Sequence, residues 1–206
     1  MDSRQRVLVE AMRLFGEQGY AGTTVAEIER AAGLSPGSGA LYRHFRSKEE
    51  LLAEGVRAKV AENAELLAFM TGLTEAGTPS LRERLALLAR AGLRRLDHER
   101  DLNRLVVRDL NRFPQLLAEV GSGEMRRIHQ ATARWLRAQG VPADRDADAL
   151  AVVLISAISH YWLLRDAFGG DHPSGLTEER YVAAFVDLAE GLIRPGGPAV
   201  TTTVEE

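Results

Sequence analysis

From Ser3 to Ile193 the apolar residues of this chain return every three or four positions, and no sustained stretch alternates apolar with polar side chains. Gly and Pro fall mostly between the periodic segments, where they punctuate. A chain patterned in this way folds as helices, about nine of them, and its class is all-α. At 206 residues and 45% apolar it can build a packed core, as one ordinary domain or as a small module plus a larger one.

Cysteine is absent, which removes disulfides, thiolate metal sites and cysteine nucleophiles together. The opening residues, MDSRQRVLVEAMRLF, mix charge with apolar side chains, unlike a secretory leader. The most apolar run, Ala149 to Leu164, includes Ser156, Ser159 and His160. It falls short of the roughly 20 residues of a membrane span and reads as a buried helix, with no membrane partner and a cytoplasmic location. Residues 1–48 carry seven Lys/Arg against five Asp/Glu, and residues 49–206 carry nineteen against twenty-four. This mild asymmetry allows a nucleic-acid face near the N-terminus.

The N-terminal quarter is the most explicit. A first helix, Ser3 to Gln18, has Val7, Ala11, Leu14 and Phe15 as its stripe and ends at Gly19. Thr24-Val25-Ala26-Glu27 is a capping box that opens a second helix, whose inner face is Val25, Ile28 and Ala32. Gly33 suits the left-handed residue after a helix end, and Leu34 packs the turn. Ser35 can cap a third helix carrying Ala40 to Phe45. Ser47-Lys48-Glu49-Glu50 is a second capping box, opening a fourth helix to about Met70. Further helices are expected from Thr78-Pro79-Ser80 to Glu99, from Asp101 to Arg112, and from Pro114 to Gln139, the last weakened by Gly121-Ser122-Gly123. One more runs from Asp144 or Asp146 to Phe168, and a final one from Thr177 to before Pro195. Residues 195–206 lack periodicity and read as a disordered tail.

Helix two, a tight turn and helix three form a helix-turn-helix candidate, in which the second helix shows its N-terminal residues to base edges in the major groove. Taken together, Leu14-Phe15, Gly19-Tyr20, the run from Thr23 to Ser35 and the run from Leu41 to Leu51 closely resemble the tetracycline-repressor (TetR) family over about residues 5–52. That resemblance implies a three-helix DNA-binding domain over residues 1–48 and a helical ligand-binding and dimerisation domain over 49–194. It implies DNA contacts from Thr24, Ser35, Gly37, Ser38, Tyr42, Arg43, His44 and Lys48, with Phe45 in the core. Family members commonly have three residues between the Ser and the Leu/Phe-Tyr pair; here there are five, Pro36 to Ala40. The extra two must lengthen the turn or extend helix three.

The resemblance further implies a homodimer through the last two helices, a small-molecule effector and a palindromic double-stranded operator, and so a ligand-released repressor without a cofactor. Candidate effector contacts are Arg108, Asn111, His129, Trp135, His160, Tyr161 and Arg165, polar groups set in apolar surroundings. Each also reads as an ordinary satisfied core or paired group. Tyr42 has the same second reading, as a packing residue between Leu41 and Phe45. No metal-ligand cluster, nucleophile elbow or phosphate loop is present, so an enzyme is not expected. The alternative is a helical interaction protein with a vestigial DNA module.

Overall fold

The computed structural model describes residues 1–62 and 80–194. Every regular element among them is helical. In chain order these are α1 (Ser3–Gln18), α2 (Val25–Ala31), a 3₁₀ turn (Ala40–Arg43), α3 (Lys48–Glu62), α4 (Leu81–His98), α5 (Arg100–Arg108), a second 3₁₀ turn (Leu110–Arg112), α6 (Pro114–Val120), a π turn (Gly121–Met125), α7 (Arg126–Ala138), α8 (Ala147–Ala167) and α9 (Glu178–Ile193). The proposed extension of the fourth helix to Met70, the Thr78-Pro79 start and the tail from Pro195 lie outside the described residues.

The described residues fall into two packed units, 1–62 with 96–126, and 80–95 with 127–194. The first therefore holds more than the division at residue 48 expected from sequence, because α3, α5 and α6 share its core. Val7, Ala11 and Phe15 of α1 meet Ile28 of α2, Leu41, Phe45, Leu51 and Leu52, and Leu105 of α5 in one apolar cluster. All of these residues are almost fully buried.

α1 and α5 approach so closely that a Cβ on Gly16 would lie 2.5 Å from the Cβ of Asp101. Arg108 then reaches back from the end of α5, donating from Nη2 to the carbonyls of Phe15 (2.6 Å) and Gly16 (3.1 Å). Asp109, itself buried, accepts from the Arg108 Nε at 3.0 Å and from the backbone N–H of Tyr20 at 3.3 Å.

In the second unit α4, α7, α8 and α9 bury Leu85, Leu93, Leu136, Leu154, Phe185 and Ala189. Arg82 forms a fork to Asp187 and Glu190, both at 2.6 Å, tying α4 to α9. Ser80 and Glu83 exchange backbone and side-chain hydrogen bonds and so cap α4 at its described start. Asp146 caps α8 and Thr177 caps α9 through their side chains.

The apolar helix α8, expected to be buried on more than one side, is covered on one side within this chain. Ala151, Leu154, Ile158 and Trp162 are buried, but Ala149, Val153, Ser156, His160 and Leu163 form an exposed stripe along the opposite side. The helix from Pro114 also differs, since its register widens to a π turn where Gly121 and Gly123 leave the backbone least constrained.

The Gly16 contact reverses a usual sign. Gly→Ala in a helix interior normally stabilises by about 1 kcal/mol. Gly121→Ala, with open space around its missing Cβ, is expected to raise the unfolding midpoint, whereas Gly16→Ala collides with the Asp101 backbone and is expected to destabilise by roughly 1–3 kcal/mol. Urea unfolding of the two variants beside the parent decides it; equal midpoints for both would show that α1 and α5 are not in close contact at Gly16.

Candidate nucleic-acid interface

The head presents one exposed face assembled from the start of α2, the loop after it and the first 3₁₀ turn. Thr24 caps α2. Its Oγ1 accepts from the Glu27 backbone N–H at 3.2 Å, and Glu27 accepts the Thr24 N–H at 2.7 Å, completing the expected capping box. The Thr24 hydroxyl's own bond to Glu27 and, after it, the Thr24 N–H hold that carboxyl below its usual range.

α2 then closes as a Schellman motif: Gly33 has φ +73°, its N–H bonds to the Arg30 carbonyl, and the Leu34 N–H reaches back to the Glu29 carbonyl at 2.8 Å. The expected third helix is where sequence and structure part. Residues 35–39 form a loop with an N–H bond from Ser38 to the Ser35 carbonyl, and only Ala40–Arg43 are helical, as a single 3₁₀ turn preceded by left-handed Gly39. Ser35 does not cap it. The physical reason is local: Gly37 and Gly39 both sit at positive φ, so the two extra residues lengthen the turn instead of adding helix.

Leu41 and Phe45 anchor this segment in the core, with exposures of 0% and 1%. Between them Tyr42 is 53% exposed, which removes the reading in which it packs the module. Arg43 and His44 are exposed beside it, and Ser35, Gly37 and Ser38 are exposed on the preceding loop. Thr24 lies exposed at the start of α2.

Lys48 differs from the other seven. Half-buried at the start of α3, it donates from Nζ to the Tyr20 carbonyl, with Nζ 4.2 Å above the Tyr20 ring and 5.8 Å from that of Phe15. Burial pulls its pKa below the ordinary lysine value. The second capping box forms in one half as expected, Ser47 Oγ accepting from the Glu50 N–H at 3.0 Å, while the Glu50 carboxylate accepts from the Arg46 N–H in place of that of Ser47. The residue that sequence reasoning missed is Glu29, a fully buried carboxylate under the reading loop. An acidic residue on the inner face of α2 was the available signal.

The seven effector candidates divide between the units. Arg108 is committed to α1 and Asp109, and Asn111 is exposed on the second 3₁₀ turn, both in the first unit. In the second unit His160 is exposed on the outer stripe of α8, His129 is half-buried and Arg165 pairs with Glu178 at 3.0 Å. Tyr161 donates to the Leu176 carbonyl and stacks between Tyr181 (4.1 Å) and His172 (5.1 Å). Trp135 is buried with no partner on its Nε1. The buried Tyr181 hydroxyl also lacks a partner, and desolvation lifts its pKa well above the usual phenol value.

A head that shows polar and cationic side chains on a helix-turn-loop, fixed by two buried anchors, in a chain whose described elements are all helical, has the build of a helix-turn-helix module. Comparison with known proteins agrees: residues 7–54 match the model of the bacterial regulatory proteins of the tetR family. It is 41% identical over 75 residues to the HTH-type transcriptional repressor AcnR of Corynebacterium efficiens, a match spanning 36% of this chain and 38% of that protein. A TetR-family transcriptional regulator from Mesorhizobium loti superposes with a TM-score of 0.72 at 26% identity, covering 92% of this chain and 95% of that one. FadR of Bacillus subtilis, solved in complex with stearoyl-CoA, superposes at 0.61 with 18% identity, covering 92% and 97%.

The α2 cap carries a pH signature. A carboxyl whose pKa is depressed on folding stabilises above its unfolded pKa, and that contribution is lost as pH falls through the folded value. Glu27→Gln is therefore expected to lower the melting temperature at pH 7, with the gap to the parent closing as pH drops below the ordinary 4.5. A gap independent of pH would show that the charge of Glu27 has no part in the cap.

Proposed function

We propose that this chain is a cytoplasmic transcriptional repressor which binds a palindromic operator as a homodimer and is released by a small molecule. The observation that carries the DNA-binding part is the exposed set Ser35, Gly37, Ser38, Tyr42, Arg43 and His44 on a segment pinned by buried Leu41 and Phe45. Such a segment can lie in the major groove, where side chains reach base edges and phosphates while the anchors fix register. Thr24 and Lys48 flank it as phosphate contacts, and Lys48 is held in place by the Tyr20 carbonyl. A vestigial module used for other interactions has no need to keep this polar, cationic surface around a 53% exposed tyrosine.

The homodimer rests on the outer faces of α8 and α9. Val152, Val153 and Leu163 on α8 and Leu188 on α9 are large apolar side chains left exposed, continued by Ala149, Ala184 and Gly191. An apolar patch of this kind on two adjacent elements of sequence fits a self-complementary interface. Pairing two heads sets their spacing near one turn of DNA, roughly 34–36 Å. Leu188→Glu is expected to convert a dimer to a monomer in size-exclusion chromatography with light scattering; a persistent dimer would move the interface elsewhere.

Effector binding is assigned to the helical second unit, where Trp135 Nε1 and the Tyr181 hydroxyl are buried donors with no protein partner. The bound stearoyl-CoA of the FadR fold-mate supports the reading that helical units of this build accept small molecules. Release requires that the effector bind the low-affinity form more tightly, with a coupling of about 1–3 kcal/mol as the usual scale.

The test is a gel shift on the DNA immediately upstream of the protein's own gene and on a randomised duplex pool. A discrete complex is expected to survive nonspecific competitor. Tyr42→Ala should abolish it, and Arg43→Ala should reduce the slope of log K against log salt by about one. Absence of any shift at low salt, on both DNAs, would return the chain to the interaction-protein class.

A further inference from the structure

Glu29 is the least expected side chain of the head: a carboxylate with 0% exposure on a seven-residue helix, outside both capping boxes and away from the exposed DNA-facing set. Its two oxygens are used separately. Oε2 accepts the Gly37 N–H at 2.7 Å, and Oε1 accepts the Leu41 N–H at 3.1 Å. Its backbone carbonyl accepts the Leu34 N–H at 2.8 Å. One residue therefore holds the reading segment at its entry, its middle and its anchor.

Within the loop the bonds are local, from the Ser38 N–H to the Ser35 carbonyl and from the Ala40 N–H to the Ser38 hydroxyl. Gly37 and Gly39 are left-handed at φ +76° and +71°, and the Cβ position of Gly37 has nothing within 4 Å. A glycine-rich stretch loses the most conformational entropy when it is ordered, so a loop of this composition samples many shapes unless something fixes it. A carboxylate accepting two backbone amides supplies that fixation, because bonds to a charged acceptor are about twice as strong as neutral ones. The amides in turn offset the desolvation of the buried charge. Glu29 sits on the core side of the loop, while Ser35, Gly37, Ser38 and Tyr42 are exposed.

We propose that Glu29 is a positioning residue for DNA recognition: it clamps the five-residue segment between Ser35 and Leu41 in one conformation and so determines sequence discrimination without touching DNA. This rests on the DNA-binding function proposed above. Preorganisation lowers the ordering cost at the moment of binding, and a loop held in one shape rewards only the base sequence complementary to that shape.

The experiment compares the full-length parent with Glu29→Gln and Glu29→Ala in two measurements. The first, without DNA, is amide exchange at Gly37 and Leu41 by NMR. Glutamine keeps the shape but has one acceptor oxygen and turns an N–H₂ toward the other amide. Exchange at one or both amides is expected to quicken by about tenfold in Glu29→Gln and at both in Glu29→Ala. The second uses a duplex enriched by the parent protein from a randomised pool, beside a scrambled duplex of the same composition. Affinity for the enriched duplex is expected to fall about tenfold in Glu29→Gln, with affinity for the scrambled duplex unchanged.

Three results would each overturn the clamp: unchanged exchange in the variants, quickened exchange with unchanged discrimination, or an equal loss on both duplexes, which marks general damage to the head. Should Glu29→Ala fail to fold, Glu29→Gln carries both measurements. A parent that enriches no duplex defeats the DNA-binding function itself, and this role for Glu29 with it. That outcome is distinct from a variant failing beside a parent that discriminates.

Discussion

The carbonyl end of α1 is the point on which the head is assembled. A helix terminus leaves its last carbonyls without intrahelical donors and concentrates partial negative charge there. Here each donor comes from a different part of the chain. Thr23 Oγ1 donates to the Leu14 and Gly19 carbonyls, and Arg108 takes those of Phe15 and Gly16. Lys48 takes that of Tyr20, just beyond the helix. Two of the three carry positive charge, as the helix dipole favours. The loop into α2, the start of α3 and the end of α5 are thereby referred to one helix end, and the reading segment inherits its position from that arrangement through buried Phe15, Leu41 and Phe45.

This explains why the head draws in more of the chain than its sequence pattern suggested. Local signals were fully legible: Thr24 and Glu27 had to cap α2, Gly33 had to end it, and the stripe of α1 had to face inward. Such features are settled within four or five residues, where composition and spacing speak directly. Arg108 and Asp109 act on residues about 90 positions away, and nothing in the Leu105–Asp109 run distinguishes a cation serving α1 from one awaiting a ligand. The same holds for α8, whose apolar character was plain while its division into a buried face and an exposed stripe was not. An all-round apolar helix leaves no periodicity from which to read which side is covered.

The reading segment shows a different limit. Five residues in place of three left two outcomes open, a longer turn or a longer helix, and the glycines at 37 and 39 decide for the turn. A longer turn has a cost that a helix would not: its amides need acceptors from outside, because no i→i−4 ladder supplies them. Ser35 and the Ser38 hydroxyl each supply one within the loop, and Glu29 supplies two from below. A buried acid on α2 and a glycine-rich insertion eight residues later are then two halves of one device, each unfavourable without the other.

That pairing bears on how such a head can change what it reads. In a regular recognition helix, side chains can be exchanged on a scaffold held by its own hydrogen bonds. Here the scaffold depends on Glu29, so substitutions at Ser38 or Ala40 that alter the backbone path also alter the distance from the carboxylate to Gly37 and Leu41. In the proposed role, specificity and loop stability are coupled through one side chain. Changes at the exposed ends of the face, at Tyr42 and Arg43, are free of that coupling because Leu41 and Phe45 hold the 3₁₀ turn from the core side. On the DNA-binding function proposed above, new base preferences are most accessible from the Tyr42–His44 end, and the Pro36–Ala40 end is the more constrained of the two.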